Sequence, residues 1–444
     1  MSKEKRNFFT YFIFIFICWI PLLLVFYPGI YGYDAPAHIT EFFTGKFSMH
    51  HPLLYTILFG AFYKLSAITG NHIGRVGYSA FQMLILSGSM ATSVLYLKNI
   101  KCPKYMVYIV LVFYALCPLN SLMSLITTKD IIFASLTLLV YIELNRNDLP
   151  GGSNELKIIA LLVVNCLFRN NAVYAMFLLE IWIFLFNKQR NGIWLKRIGL
   201  AVLLYFAIST GLKVGLNAEP SKTAEMWSVP LQQMARIANV TTDEELIEQI
   251  EEVIPQYDLY TAYIADPVKN QVAVFDGKCW KIYFKCLVRH PIICIEAFVY
   301  NIEGMWNIAN DPYAMNREFI IPLTYHNGAP FGAVGFEGKD YALLLGLREK
   351  CVELFSYTGI FRHTIIALAF RQAVYFWIVI LNLLYSFTYR IRHKETKVEN
   401  NILPDIYILC YIFTLMLAPC AATRYFYAVM ICTPVMVARN FRRL

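Results

Sequence analysis

Charge is scarce in this chain: Asp, Glu, Lys and Arg make up only 16% of its 444 residues, against roughly 25% in an ordinary soluble domain. With 58% hydrophobic residues, that shortage excludes a single soluble globule. Dedicated metal and redox motifs are also absent. The 11 cysteines are scattered through apolar blocks with no C-x-x-C pair, so they read as small membrane-core residues rather than zinc ligands or a redox centre. The net charge of +9 has no basic face to match it. Lys and Arg sit in short clusters between apolar blocks, which is a topology signal and not a nucleic-acid surface. No internal repeat is evident, which counts against transporter folds built from repeats.

What the chain does have is apolar blocks close to the length that crosses a bilayer. Ten are expected to span: residues 8–27, 76–97, 105–122, 131–144, 158–168, 172–186, 198–210, 364–389, 403–419 and 425–437. The first reads as a retained span and not a signal peptide, because Tyr27-Pro28-Gly29 follows it in place of a small-residue cleavage site. The fifth and sixth share one apolar run interrupted by Arg169-Asn170-Asn171. Block 52–68 is apolar enough to be another span, but counting it as one would scatter the basic clusters over both sides of the membrane. The positive-inside rule therefore makes it an outer interfacial or re-entrant helix.

The fold class expected is an all-α polytopic membrane protein with about ten transmembrane helices, outer juxtamembrane helices and a small, mainly helical extracytoplasmic region. Residues 1–212 form an N-terminal module of spans one to seven, with the first outer loop at 28–75. Residues 213–363 form the extracytoplasmic region, and 364–444 a C-terminal module of spans eight to ten. Both termini are cytoplasmic in this reading, and the protein is multi-pass in the plasma membrane. Within the outer region, Asp243 to Glu252 reads as a short acidic amphipathic helix that Pro255 ends. Lys278 to His290 is a basic aromatic stretch suited to an anionic lipid interface. The stretch 316–338 reads as an outer loop.

Ionisable groups at membrane depth are costly and are functional suspects. The expected outer ends of the spans collect Asp34, His38, Glu41, His50, His51, Lys129, Asp130, Arg169 and Arg424. Carboxylates, histidines and cations from separate segments on one face suit an anionic phosphate together with a group that must lose a proton. Each has a bland alternative. Asp34 before Ala35-Pro36 is a good helix N-cap, His50 and His51 could simply start an interfacial helix, Lys129-Asp130 could pair with itself, and Arg424 could snorkel into headgroups. Arg169 is the hardest to dismiss, since a plain hairpin would use Gly or Pro at that point.

The order of these features resembles the GT-C superfamily of integral-membrane glycosyltransferases, which includes the dolichyl-phosphate-mannose protein mannosyltransferases and the bacterial transferases of aminoarabinose to lipid A. Gly32-Tyr33-Asp34 followed by His50-His51-Pro52-Leu53-Leu54-Tyr55 is similar to that family's first-loop aspartate and its His-Pro-Pro-Leu-like juxtamembrane helix. Thr128-Lys129-Asp130-Ile131-Ile132 resembles its Thr-Asp-x-x-Leu, with Lys129 inserted. Arg169-Asn170-Asn171 resembles its Lys-Gly turn with the cation kept, and Arg424-Tyr425 resembles its last-span Arg-Tyr. The chain also resembles a bacterial subgroup of mostly unassigned function, through Phe168-Arg169-Asn170-Asn171, the run from Ser228 to Arg236, and Asp266-Pro267-Val268-Lys269.

The resemblance implies an inverting transfer of a sugar from a polyprenyl-phosphate donor to an extracytoplasmic glycan, lipid or protein. In it Asp34 is the base and Asp130 positions Lys129 or the acceptor. Lys129, Arg169, Arg424, His50 and His51 hold the donor phosphate, while His38, Asn170 and Tyr425 contact substrate. Tyr283, Trp306 and Tyr313 are candidates to stack on sugar. A bridging divalent cation, Mg or Mn, is compatible with such chemistry, although the sequence holds no dedicated ligand set. The rival classes are a lipid-linked oligosaccharide flippase or transporter, favoured only by Arg371 inside the eighth span, and a polysaccharide ligase or polymerase.

Overall fold

A computed structural model describes residues 2–69, 72–146, 154–186, 191–309, 343–355, 364–393 and 402–443. The first helix, α1 (Lys3–Val25), is a long apolar run; Ser2 caps its start by accepting from the Lys5 amide at 3.3 Å. The chain then turns through Gly29, at φ 124°, into a two-residue strand, β1 (Ile30–Tyr31). Helix α2 (Ala35–Thr44) and helix α3 (Leu53–Thr69) pack as a hairpin against α4 (Ile73–Asn99). Gly60 permits that hairpin, because a Cβ there would sit 2.0 Å from the Phe42 ring.

Helix α5 (Lys104–Leu116) gives way to α6 (Pro118–Leu125) through a bend of 46°. Pro118 has no amide hydrogen to continue the α5 ladder but suits a first helical turn. The expected third span, 105–122, is thus a bent pair. Strand β2 (Ile126–Thr127) follows and pairs in parallel with β1, Ile30 opposite Ile126 and Tyr31 opposite Thr127. Next come α7 (Lys129–Arg146), α8 (Glu155–Phe168), α9 (Ala172–Phe186) and α10 (Asn191–Gly215).

The polar region that follows contains α11 (Ser228–Val240), α12 (Glu244–Glu251), α13 (Asp266–Lys269), α14 (Gly277–Arg289), α15 (Pro291–Asn301) and α16 (Glu303–Trp306). After it come α17 (Leu345–Leu354), a 3-10 turn (Ile365–Phe370), α18 (Gln372–His393), α19 (Leu403–Met416) and α20 (Thr423–Asn440). Among the described residues, four helices are long and apolar enough to cross a membrane: α1, α4, and most of α10 and α18; the bent α5–α6 pair makes a fifth. Helices α3, α9, α15 and α19 are apolar but shorter. The protein is a helical membrane protein. The eighth expected span begins differently, since Arg371 stands at the break between the 3-10 turn and α18 and donates to the Ile308 carbonyl. That residue is outside the helix body.

Helix α7 is the centre of the bundle, packed against α4, α8, α19 and α20, and it carries polar groups at both ends. At its C-terminal end Asp405 accepts from Tyr141 at 2.7 Å and pairs with Arg439 at 2.5 Å. Arg439 also donates to Asn145, and Glu143 binds Lys157 at 2.5 Å and Arg146 at 3.1 Å. The Asn99 amide reaches Glu4 at 3.1 Å. The start of α1, the ends of α4, α7 and α20, and the starts of α8 and α19 therefore share one end of the bundle. Arg146, Lys157 and Arg439, expected on the cytoplasmic side, belong to that end, while Lys188, Arg190, Lys394 and Lys397 lie outside the described residues.

A second apolar core, separate from that of the bundle, holds α11 to α15 together around Leu231, Met234, Leu246, Ile250, Ile282 and Cys286. Asp243 caps α12 and Asp276 caps α14, each accepting an amide in the first turn. The basic stretch finds partners here. Lys278 meets Glu252 at 2.7 Å, and Arg289 meets Asp243 and Glu245, each at 3.0 Å. Its charge is therefore largely matched by the acidic helix. The loop 316–338 and Tyr313 lie outside the described residues.

Candidate functional site

The short β1–β2 pair fixes the register of two loops that the sequence places far apart. Beyond it, one chain continues to Asp34 and the other to Lys129 and Asp130. Gly32 allows the approach: its amide donates to Thr127 Oγ1 at 2.9 Å, and a Cβ would lie 2.2 Å from the Thr127 carbonyl oxygen. From α4, the buried Gln82 donates through Nε2 to the carbonyls of Ser124 at 2.9 Å and Ile126 at 2.8 Å. It thereby satisfies acceptors left open at the end of α6.

Asp34 occupies the cap position of α2 yet makes no capping hydrogen bond. Its Oδ2 lies 3.0 Å from Lys129 Nζ and 3.4 Å from an Arg424 guanidinium nitrogen. Lys129 and Asp130 do not pair with each other. Asp130 accepts from Thr128 Oγ1 at 3.0 Å, is bound by Arg169 and has Arg424 Nε at 3.9 Å. Tyr425 lies between the two guanidiniums, its ring centroid 4.5 Å from Arg169 and 5.0 Å from Arg424. The loop before Arg424 is pinned by the α11–α16 region, through Ala265 to Pro419 at 2.8 Å and Asn301 to Ala418 at 3.0 Å. Gln372 holds the neighbouring Ala421 carbonyl.

A family model described as a family of unknown function, DUF6020, matches residues 44–443. The chain belongs to this family. No curated protein and no solved structure matches it. The DUF6020 match takes in Lys129, Asp130, Arg169 and Arg424 and begins after Asp34.

In this DUF6020 member the three cations of the cluster outnumber its two carboxylates, leaving one positive charge. Burial by itself raises the Asp34 carboxyl, but Arg424 and then Lys129 outweigh it and hold the group well below the usual carboxylate range. The histidines behave differently from the sequence expectation. Burial, aided by Lys129, pushes His51 down to about 3, and burial with His51 and Lys129 keeps His38 well below its ordinary value. Both shifts favour the neutral imidazole, which can meet a phosphate or sugar oxygen through a ring N–H. His38 is tied to Thr56 Oγ1 at 2.8 Å, and its ring lies 4.4 Å from that of His51, which in turn lies 4.5 Å from exposed His50.

Glu41, to which the sequence reading gave no role, shares the α2 face of Asp34 and His38; the spacing of seven residues was the available signal. Burial pushes its carboxyl up to about 7. Asn170 reaches toward the Met49 carbonyl at 3.4 Å. Beside it a narrow cleft runs between α3, α8 and α10, lined by Met49, His51, Leu54, Leu167, Asn170 and Tyr205. A divalent cation does not fit the donor set, since both carboxylates already face Lys or Arg. Among the described residues no three His, Cys, Asp or Glu side chains group to hold a metal.

Proposed function

We propose that this chain is a membrane glycosyltransferase that moves a sugar from a polyprenyl-phosphate donor to an extracytoplasmic acceptor, with inversion. It crosses the plasma membrane ten times, both termini are cytoplasmic and the site faces outward. The observation that carries the reading is the convergence of Asp34, Asp130, Lys129, Arg169 and Arg424, from four separate segments, into one cluster at one end of the bundle. An isolated buried cluster of this size is expensive to maintain for stability alone.

In the reaction, an acceptor hydroxyl attacks the anomeric carbon as its proton passes to Asp34. The bond from that carbon to the phosphate oxygen breaks, and the electron pair leaves with polyprenyl phosphate. Lys129 and Arg424, the more exposed cations, take the charge that grows on the leaving phosphate, so they favour the transition state over the ground state. Arg169 is spent on Asp130 and acts as a positioning residue, which revises the phosphate-binding role suggested by the sequence. The transporter alternative rested on Arg371 within a span, and that residue lies at a helix break.

The deciding experiment supplies purified protein with a panel of radiolabelled polyprenyl-phosphate monosaccharides and membrane lipid and glycan extracts. Transfer by the wild type, lost in Asp34→Asn, supports the reading. Silence with every donor overturns it and moves the ligase or flippase reading ahead.

A further inference from the structure

The two carboxylates of the cluster are held in different ways. Asp130 is fully buried, bound by Arg169, whose side chain is 7% exposed, and by Thr128. Asp34 is 21% exposed, and its partners Lys129 and Arg424 are 13% and 12% exposed. The second set is the more exposed to an incoming anion. Asp34 also lacks the α2 capping bond that would otherwise hold it, so the two cations are its chief tether. In that state it is a poor base, because its lone pairs are directed at cations.

We propose that the donor phosphate switches the site on by ion exchange: it takes Lys129 and Arg424 away from Asp34, and the carboxylate so released becomes competent to accept the acceptor's proton. This rests on the transferase reading and adds an order to it, donor before deprotonation. The groups facing Asp34 are Lys129 and Arg424, with His51 and His38 behind it. Burial favours the neutral form of both histidines, and with Lys129 and Arg424 withdrawn the basicity of the carboxylate rises. Arg169 and Asp130 stay paired throughout and keep Tyr425 in place between the guanidiniums. The arrangement guards against waste, since an empty site has no active base with which to activate water.

The test is binding, which needs no turnover. Full-length protein, wild type and Asp34→Asn, is titrated with a polyprenyl monophosphate, with inorganic phosphate and with the matching uncharged polyprenol. Removing the competing carboxylate should tighten polyprenyl monophosphate binding by about tenfold, while Lys129→Met weakens it by a similar factor. Equal or weaker binding in Asp34→Asn overturns the exchange and leaves the transferase reading intact. Wild-type protein that binds the monophosphate no better than polyprenol overturns both. Inorganic phosphate binding as tightly as the lipid would assign the site to a free anion and overturn the lipid-triggered form.

Should Asp34→Asn fail to fold, infrared difference spectra of the wild type supply the readout. Adding the monophosphate should shift a carboxylate band toward the unpaired position, and an unchanged carboxylate region refutes the exchange.

Discussion

Gly32→Ala tests the geometry that unites the two loops. The new methyl group would start 2.2 Å from the Thr127 carbonyl oxygen and 3.0 Å from its carbon, with backbone as the obstacle. Restoring an ordinary contact requires the strands to part by roughly 1 Å. Two costs follow. Overpacking and the lost bond from the Gly32 amide to Thr127 Oγ1 destabilise the fold by about 2–4 kcal/mol. The same displacement stretches the 3.0 Å contact between Asp34 and Lys129 toward the limit of an ion pair, and a misplacement of about 1 Å is enough to cost on the order of 100-fold in rate. The assay is sugar transfer and thermal midpoint for Gly32→Ala beside Gly88→Ala, where a Cβ meets nothing within 4 Å. Gly88→Ala should be neutral or slightly stabilising. A Gly32→Ala protein with wild-type transfer and midpoint would refute the claim that this strand pair sets the site.

Asp34→Asn should lower the transfer rate by about 100-fold or more, with the fold retained by circular dichroism and gel filtration. Glu41 gives a pH signature. Its folded value, about 7, exceeds the ordinary 4.5, so the folded protein keeps a proton that the unfolded chain releases. Its contribution to stability is therefore present below 4.5 and is lost as pH rises toward and through 7. The difference in thermal midpoint between Glu41→Gln and wild type should grow in favour of the variant across that window; a flat difference would sink the assignment. Arg439→Met leaves Asp405 buried without its cation, and should cost about 3–5 kcal/mol in denaturant or thermal unfolding. Arg371→Gln should leave transfer within about twofold of wild type, inside the ordinary spread for a change away from a site.

Much was legible in the sequence because membrane helices are written in long apolar runs, and the bilayer forces backbone groups to pair within the run. Each of the ten expected spans coincides with a helix or with a broken or bent helix pair. Block 52–68, expected as an interfacial or re-entrant helix, is a helix, α3, that forms a hairpin with α2. Asp34, Lys129, Asp130, Arg169 and Arg424 were each readable as ionisable groups near expected span ends. Their pairing was not. Nothing local says that Lys129 reaches Asp34 and not its neighbour Asp130, because that choice depends on a two-residue strand pair too short to give a periodic signal.

The sequence by itself determined the solvent of this protein, the helical class and the placing of charges at the ends of the apolar runs, since these follow from hydropathy and from the cost of burying charge. Tertiary structure alone decided which charges meet. It pushed His38 and His51 toward the neutral form by burying them beside Lys129, matched the basic α14 to the acidic α12, and fixed Arg169 on Asp130. The physical reason is range. Hydropathy acts along the chain and survives in its order, whereas ion pairing and desolvation depend on distances of a few ångströms between segments that only packing brings together.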